Sequence, residues 1–478
     1  MKRIHILHTN DLHSHLDQVP KLFSQISQIR EELSRKGESC LLVDVGDHLD
    51  RATLETEGTL GRVNRAILRE FQYDVVTFGN NELLSYFPDH LATLYQDVPF
   101  SVVSSNVVSS TSDRQAEMGW IQKSKVLVRD GVRIGFIAVT IPFNRYYQQM
   151  GWRLTDPLVA VKNEVESLRA QVDLLVVLSH VGISFDQELA REVPEVDLVL
   201  GGHTHHLLEV AQKIGKTTIA AAGVYGHHLG HVIIELDDSD HTVQKIEGVC
   251  RSVQHESPDR KIELLIGHYR EQAEQALAEP VEILSEPLTV SWEEESPFAN
   301  FLADSLREWV GTPIALVNSG QLLSGLAKGL ITKRMIHQIC PHPINPVTMR
   351  IGGQQLLQTL EDSLDESYMK KEIRGFGFRG KILGNIAISG MKVYYDPLAS
   401  PGKKIQAVYL GQEMLKSDKE YDMATIDMFS FGVGYPRLQK GKIKKIFMPE
   451  FLRDLLYHQL KKDSAIHNCK EKRWISTN

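Results

Sequence analysis

The chain has 478 residues, 42% hydrophobic and 24% charged, with a formal net charge of −8. That length exceeds one hydrophobic core and predicts two or three domains. The negative balance excludes non-specific binding along polymeric nucleic acid, but it leaves anionic small molecules open because bound divalent cations would dominate the local field.

No apolar run is long enough to span a bilayer, and no secretory h-region follows Met1-Lys2-Arg3. The four cysteines, Cys40, Cys250, Cys340 and Cys469, have neither disulfide nor zinc-knuckle spacing. The expectation is a cytoplasmic protein with reduced thiols and no membrane association. Its oligomeric state is not encoded in any visible pattern.

The elements run as follows. An apolar strand from Ile4 ends on Asp11-x-His13. A helix follows from about Pro20 to Lys36, with Leu22, Ile26, Ile29 and Leu33 on one face and Gly37 as its stop. Leu41–Val45 is a strand ending at Asp47, Arg62–Glu70 a helix, and Val75–Phe78 a strand ending at Gly79-Asn80. Another helix passes through Leu91 and Leu94. A hairpin turns at Asp130-Gly131 within 126–139. The helix 158–170 feeds the strand Leu174–His180, and Leu198–Leu200 delivers Gly201-Gly202-His203-Thr204-His205. Val232–Leu236 is expected as the last strand of this half. Strands alternating with helices indicate α/β architecture with a site at the strand C-termini.

The charged helix 259–279, stopped by Pro280, is expected to connect two domains. Beyond it come a helix from Pro297, a strand Ile314–Asn318, and Gly/Tyr/Phe-rich segments to Pro436. The lysine-rich tail from Lys440 is expected as a solvated helical end. The domain boundaries are placed at 1–256, 257–280 and 281–478.

Five strands ending in Asp, Asn or His are hard to explain as packing. A single strand-end histidine is more often a hydrogen-bonded structural residue. Seven ligand-type residues, Asp11, His13, Asp47, Asn80, His180, His203 and His205, reverse that reading. Carboxylate and imidazole together suit Mn, Zn, Fe or Co better than Ca. One carboxylate can bridge two such ions.

At His8-Thr9-Asn10-Asp11-Leu12-His13, Val45-Gly46-Asp47, Gly79-Asn80-x-Glu82, Ser179-His180-Val181-Gly182 and Gly201–His205, the chain closely resembles the calcineurin-like metallophosphoesterases. Within them it resembles the two-domain 5′-nucleotidase family, including its bacterial cytoplasmic members. Glu295-Ser296-x-Phe298-x-Asn300, Ala424-Thr425-x-Asp427 and Gly432-x-Gly434-Tyr435-Pro436 carry the likeness into the second half. The resemblance implies an N-terminal four-layer αββα domain and an α+β C-terminal domain that selects substrate. It implies two divalent ions, one held by Asp11, His13, Asp47 and His205, the other by Asp47, Asn80, His180 and His203. A metal-bound hydroxide would attack phosphorus in line. The implied activity is hydrolysis of nucleotide phosphate esters or anhydrides, of 5′-nucleotidase, UDP-sugar or nucleoside-diphosphate hydrolase type, in nucleotide catabolism.

The sequence departs from that family at three places. Gly-Asn-His-Glu reads Gly79-Asn80-Asn81-Glu82, and the Asp that would orient the missing His is Leu84. Asn81 can donate a hydrogen bond but carries no proton for catalysis. His48, or else His227, is the substitute suggested by position. The substrate-clamping Arg of Asn-x-Gly-x-x-Arg is Leu323, which leaves Arg374 and Arg379 as replacement anion contacts, with Phe376 and Phe378 beside them. Phe429 and Phe431 fall where the family stacks the base. Two alternatives remain at this point: a 2′,3′-cyclic phosphodiesterase or non-nucleotide phosphatase, and a metal-binding pseudoenzyme that holds nucleotides without turnover.

Overall fold

In the opening strand Lys2–Thr9, Ile4 and Ile6 fall on one face and His5 and Leu7 on the other, and all four are buried. A strand buried on both faces belongs inside a sheet, and this one lies between a parallel and an antiparallel neighbour. It pairs in parallel with Ser39–Asp44 and antiparallel with His228–Leu236. The computed structural model, which describes residues 1–109 and 118–477, divides the chain into two units, Met1–Ala273 and Glu274–Asn478.

In the first unit the opening strand sits within one sheet of order 243–252, 228–236, 2–9, 39–44, 75–76, 101–103, 121–122. A second sheet runs 212–214, 217–220, 198–201, 174–180, 132–140, 124–129. Ile4, Ile6, Leu41 and Val43 of the first pack with Phe136, Val176, Leu178 and Leu200 of the second in one buried cluster. The outer face of the second sheet, through Val177 and Val199, is covered by Val161, Val165 and Leu189 of the helices Pro157–Leu168 and Ile183–Glu192. The helix Val19–Lys36 buries Leu22, Ile26, Ile29 and Leu33 over the strands 39–44 and 228–236 of the first sheet. Helix, sheet, sheet and helix make the four layers. The strands that end in the candidate residues are thus split between two facing sheets.

Two expectations are corrected. Val232–Leu236 is not the last strand of this half: His228–Leu236 turns at a polar Asp237–Asp240 segment into the edge strand Val243–Ser252. Only Gly248 of that strand is buried, so it carries no apolar alternation to read. The tail from Lys440 is not a solvated helical end. Lys442–Ile446 pairs with Pro346–Gly352, and the helix Leu452–Leu460 buries Leu452, Leu455 and Leu456 together with Arg453. The lysines lie on the solvent side of that edge strand and hid its pairing face.

The helix Arg260–Leu277 crosses the division between the units. The second unit is built on a five-stranded sheet of order 386–389, 314–318, 420–426, 346–352, 442–446, backed by the helix Pro297–Val310.

Truncating Leu178 in the inter-sheet core should cost about 2–5 kcal/mol. Leu264→Ala, on the exposed face of the 260–277 helix, should stay within about 0.5 kcal/mol. Urea unfolding of the two variants, followed by far-UV circular dichroism, measures the difference.

Candidate metal centre

Each candidate ligand sits where a strand gives way to a turn, and most adopt a backbone that side chains avoid. Asp11, His13, Asp47, His203 and His205 have φ of 50°, 46°, 51°, 70° and 57°. Left-handed residues other than glycine are uncommon and gather at functional sites. The turns are locked to one another: the amides of Asp11 and His13 donate to the carbonyls of Gly46 and Asp47 (3.0 and 2.8 Å). Glu82 ties the third strand end in. Its carboxylate accepts from the backbone N–H groups of Gly79, Asp47 and Leu49 (2.8, 3.1 and 2.9 Å).

The side chains converge. Asp11, His13 and His205 form one group and Asp11, Asp47 and His180 another, the ligand atoms of each lying within 4.8 Å of one another. His180 Nε2 is 3.4 Å from Asp47 Oδ2 and 3.9 Å from Asp11 Oδ1, and His205 Nε2 is 3.5 Å from Asp11 Oδ1. His13 Nε2 lies 3.2 Å from His205 Nε2 and 3.7 Å from each aspartate. His203 Nδ1 meets Asn80 Oδ1 at 2.7 Å, and the His203 amide donates to both Asp11 oxygens.

These residues fit a divalent cation on two observations. His180 Nδ1 donates to the Val45 carbonyl (2.8 Å), so the proton a cation would displace is the one on Nε2. That buried Nε2 has no hydrogen-bond partner among the described residues. Moreover, Gly79 keeps the space between ligands open: a Cβ there would stand 2.1 Å from Asp47 Oδ1 and 2.6 Å from His180 Nε2.

Electrostatics agree. Burial alone would push the His180 pKa down, but Asp47 and Asp11 outweigh it and lift it to about 10. Burial resists the charge on Asp47 and Asp11, yet the neighbouring imidazoles hold both carboxyls below the usual range. The centre therefore keeps its carboxylates ionised and retains a proton that a cation can displace.

The comparisons with known proteins match this geometry. The calcineurin-like phosphoesterase profile matches residues 4–207, and the 5′-nucleotidase C-terminal domain profile matches 277–440. An uncharacterised metallophosphoesterase of Bacillus subtilis (strain 168), YunD, is 36% identical over 461 residues, 96% of this chain and 99% of that one. The chain belongs to the calcineurin-like metallophosphoesterases. It is a phosphoester hydrolase of a family that uses divalent metals, and it carries the 5′-nucleotidase C-terminal domain. A snake venom 5′-nucleotidase of Crotalus adamanteus is 24% identical over 525 residues, 97% of this chain and 83% of that one. Among solved structures, a putative 5′-nucleotidase of Staphylococcus aureus in complex with alpha-ketoglutarate (TM-score 0.69, 16% identity, 99% and 100% covered) has the same fold. So does an NAD nucleotidase of Haemophilus influenzae (TM-score 0.68, 15% identity, 100% and 98% covered).

The remaining expected residues are placed unevenly. Asn81 lies in the centre, but its side-chain amide is engaged with His13 Nδ1 (2.8 Å) and the Leu49 carbonyl (3.2 Å), so it braces a ligand. His48 is enclosed, neither ring nitrogen has a hydrogen bond among the described residues, and burial pushes its pKa down to about 3. It is an enclosed ring that burial holds in the neutral form. His227 is exposed, 6.1 Å from the Tyr225 ring.

In the second unit Phe376 and Phe431 are exposed together, ring centroids 5.8 Å apart and tilted 38°. Phe378 and Phe429 are buried, the first stacked on His342, the second edge-on to Tyr435. Both rings are spent on contacts inside the unit, whereas Phe376 and Phe431 are presented at its surface. Arg374 is exposed beside Glu372, and the Arg379 amide donates to His342 Nδ1. Sequence reasoning missed Asp50, 3.7 Å from His13 Nδ1, and Tyr225, whose ring lies 5.9 Å from that of His13. For Tyr225 the available signal was its setting between Gly223 and Gly226.

Three outcomes follow from this geometry. Gly79→Ala, which places a methyl in the cradle, should abolish Mn²⁺ binding in calorimetry while leaving the circular dichroism spectrum native. The His180 pKa is raised, so its pairing stabilises the metal-free protein fully below the unfolded value of about 6.5 and is lost as pH rises through about 10. The metal-free melting temperature should therefore fall between pH 7 and pH 10. Mn²⁺ binding at pH 7 should release a proton, measured by calorimetry in buffers of different ionisation enthalpy.

Proposed function

We propose that this chain hydrolyses phosphate esters or anhydrides of small nucleotides at a dinuclear centre. The observation that carries this reading is the convergence of Asp11, Asp47 and the histidines around the buried His180 Nε2, which faces the two carboxylates. One ion would be held by Asp11, His13, Asp47 and His205, the other by Asp47, Asn80, His180 and His203. Asp47 would be the shared carboxylate. The ions would be Mn, Zn, Fe or Co, matching an imidazole–carboxylate donor set. When bound, such a pair polarises the phosphoryl group and lowers the pKa of a coordinated water.

The chain's own part is orientation. The Val45 carbonyl fixes the tautomer of His180. Ligation by His13 Nε2 requires the proton on Nδ1, and the Asp50 carboxylate, 3.7 Å from that nitrogen, would accept it. Glu82 holds Gly79, Asp47 and Leu49 together and so sets the distance between strand ends.

The nucleotide assignment is supported by the named relatives, a snake venom 5′-nucleotidase and an NAD nucleotidase. The exposed Phe376–Phe431 pair supports it too, as an aromatic platform suited to a base. Arg374 is the cation on the same loop and would take the phosphate end. Asn81, which stands where the family carries a His, has no proton to give a leaving group. This favours phosphoanhydrides, whose leaving phosphate needs little protonation, over monoesters. The setting would be the cytoplasm, in keeping with four free thiols.

Purified protein loaded with Mn²⁺ should turn over ADP, UDP-glucose or NAD at least about tenfold faster than AMP, since general-acid help is worth about 10²–10⁴-fold. Asp47→Asn should lower every rate by more than about 10²-fold, beyond the 10–100-fold typical of groups that only orient a ligand. Equal rates on AMP and the anhydrides would reject the leaving-group argument. No turnover of any of these by the loaded protein would reject the function.

A further inference from the structure

His205 is the ligand with the least support. His180, His203 and His13 each have a ring nitrogen in contact with a carbonyl or amide group of the protein. A ligating imidazole is ordinarily oriented in this way through its outer nitrogen. Among the described residues, His205 makes no such bond. Its polar contacts run through Nε2 alone, to His13 Nε2 at 3.2 Å and to Asp11 Oδ1 at 3.5 Å, and its side chain is 40% exposed.

What borders it instead is Tyr225. The tyrosine ring lies 6.2 Å from His205, tilted 54°, and meets the His13 ring edge-on at 5.9 Å. Its face is stacked on His15 at 3.8 Å and 29°. Aromatic rings at such separations attract one another in these edge and offset geometries.

The backbone under that ring is out of the ordinary. Tyr225 has φ of 63°, a conformation in which a bulky side chain is an outlier. Gly223 and Gly226, at 78° and 69°, flank it. Glycine would serve at 225 for the turn alone. The tyrosine amide donates to the Asp11 carbonyl (2.8 Å), so the turn is anchored directly to a ligand's backbone. A strained tyrosine next to two glycines that handle the same φ without strain is retained for its side chain.

We propose that Tyr225 is a positioning residue of the metal centre. Its ring, backed by His15, walls His205 against His13 and supplies by packing the orientation that His13, His180 and His203 take from a carbonyl or amide group. The proposal rests on the assignment of His13 and His205 as ligands.

The test is Mn²⁺ affinity and metal-free melting temperature of the full chain in wild type, Tyr225→Gly and Tyr225→Phe. Removal of the ring should weaken Mn²⁺ binding by about 10–100-fold, as loss of a ligand-orienting group does. Because the same change relieves a left-handed tyrosine, the melting temperature of the metal-free Tyr225→Gly protein should equal or exceed that of wild type. Tyr225→Phe should restore the affinity, since the ring and not the hydroxyl does the positioning. Affinity within twofold of wild type in Tyr225→Gly would overturn the proposal. A lowered metal-free melting temperature would also overturn it, by showing the ring to be a packing element. Failure of the underlying ligand assignment looks different: wild type itself would then bind no Mn²⁺.

Discussion

Two buried carboxylates, Asp11 and Asp47, face one buried imidazole, and the first unit is arranged around keeping them there. Like charges in a low-dielectric interior repel strongly, and they persist only where cations or imidazolium groups compensate them. In the metal-free chain that compensation is the raised pKa of His180 together with the neighbouring histidines. The two-sheet layout exists to make this juxtaposition possible. Asp11 and Asp47 follow strands of one sheet, whereas His180 ends and His203 follows a strand of the other. The apolar cluster of Ile4, Val43, Val176 and Leu178 clamps the sheets face to face and so sets the distance between the two halves of the centre.

Most of this was legible in the sequence, for one reason. A ligand at the end of an apolar strand is marked twice, by the strand and by its own chemistry. Asp11-x-His13, Gly46-Asp47, Gly79-Asn80 and Gly202-His203 all have that signature, and the structure gathers them. The Arg62–Glu70 helix and the turn at Asp130-Gly131 were legible by periodicity and turn chemistry. What escaped lies where neither signal operates. Tyr225 stands in a loop between glycines, and its importance is a backbone angle and a set of ring distances, neither of which a residue type reveals. The pairs Phe376/Phe378 and Phe429/Phe431 each place rings two residues apart. One-dimensional pattern does not say which member faces in, and the buried partners His342 and Tyr435 decide it. The edge strand Lys442–Ile446 was hidden by lysines that belong to its exposed side.

The centre also shows where the fold stores strain. Asp11, His13, Ser14, Asp47, His203, His205 and Tyr225 are all left-handed without being glycine, and all border the same few atoms. Each such residue costs about 1–3 kcal/mol. The surrounding structure over-determines them. Turn amides are bonded across strand ends, Glu82 accepts three backbone donors, and the Gly46 and Gly79 backbones meet so closely that neither has room for a side chain.

That concentration of strain makes metal and stability two sides of one equilibrium. A ligand that binds only the folded arrangement stabilises it in proportion to the logarithm of its concentration over its dissociation constant. Here the folded arrangement holds strained turns and opposed carboxylates that cations relieve. The inter-sheet core is an apolar cluster drawn from the strands of both sheets. The ligand turns at its edge are the part whose energy a cation changes. The Tyr225 turn belongs to that edge: its amide is bonded to Asp11 and its ring is set against His13 and His205, so strain in its backbone is strain held in the service of the ligands.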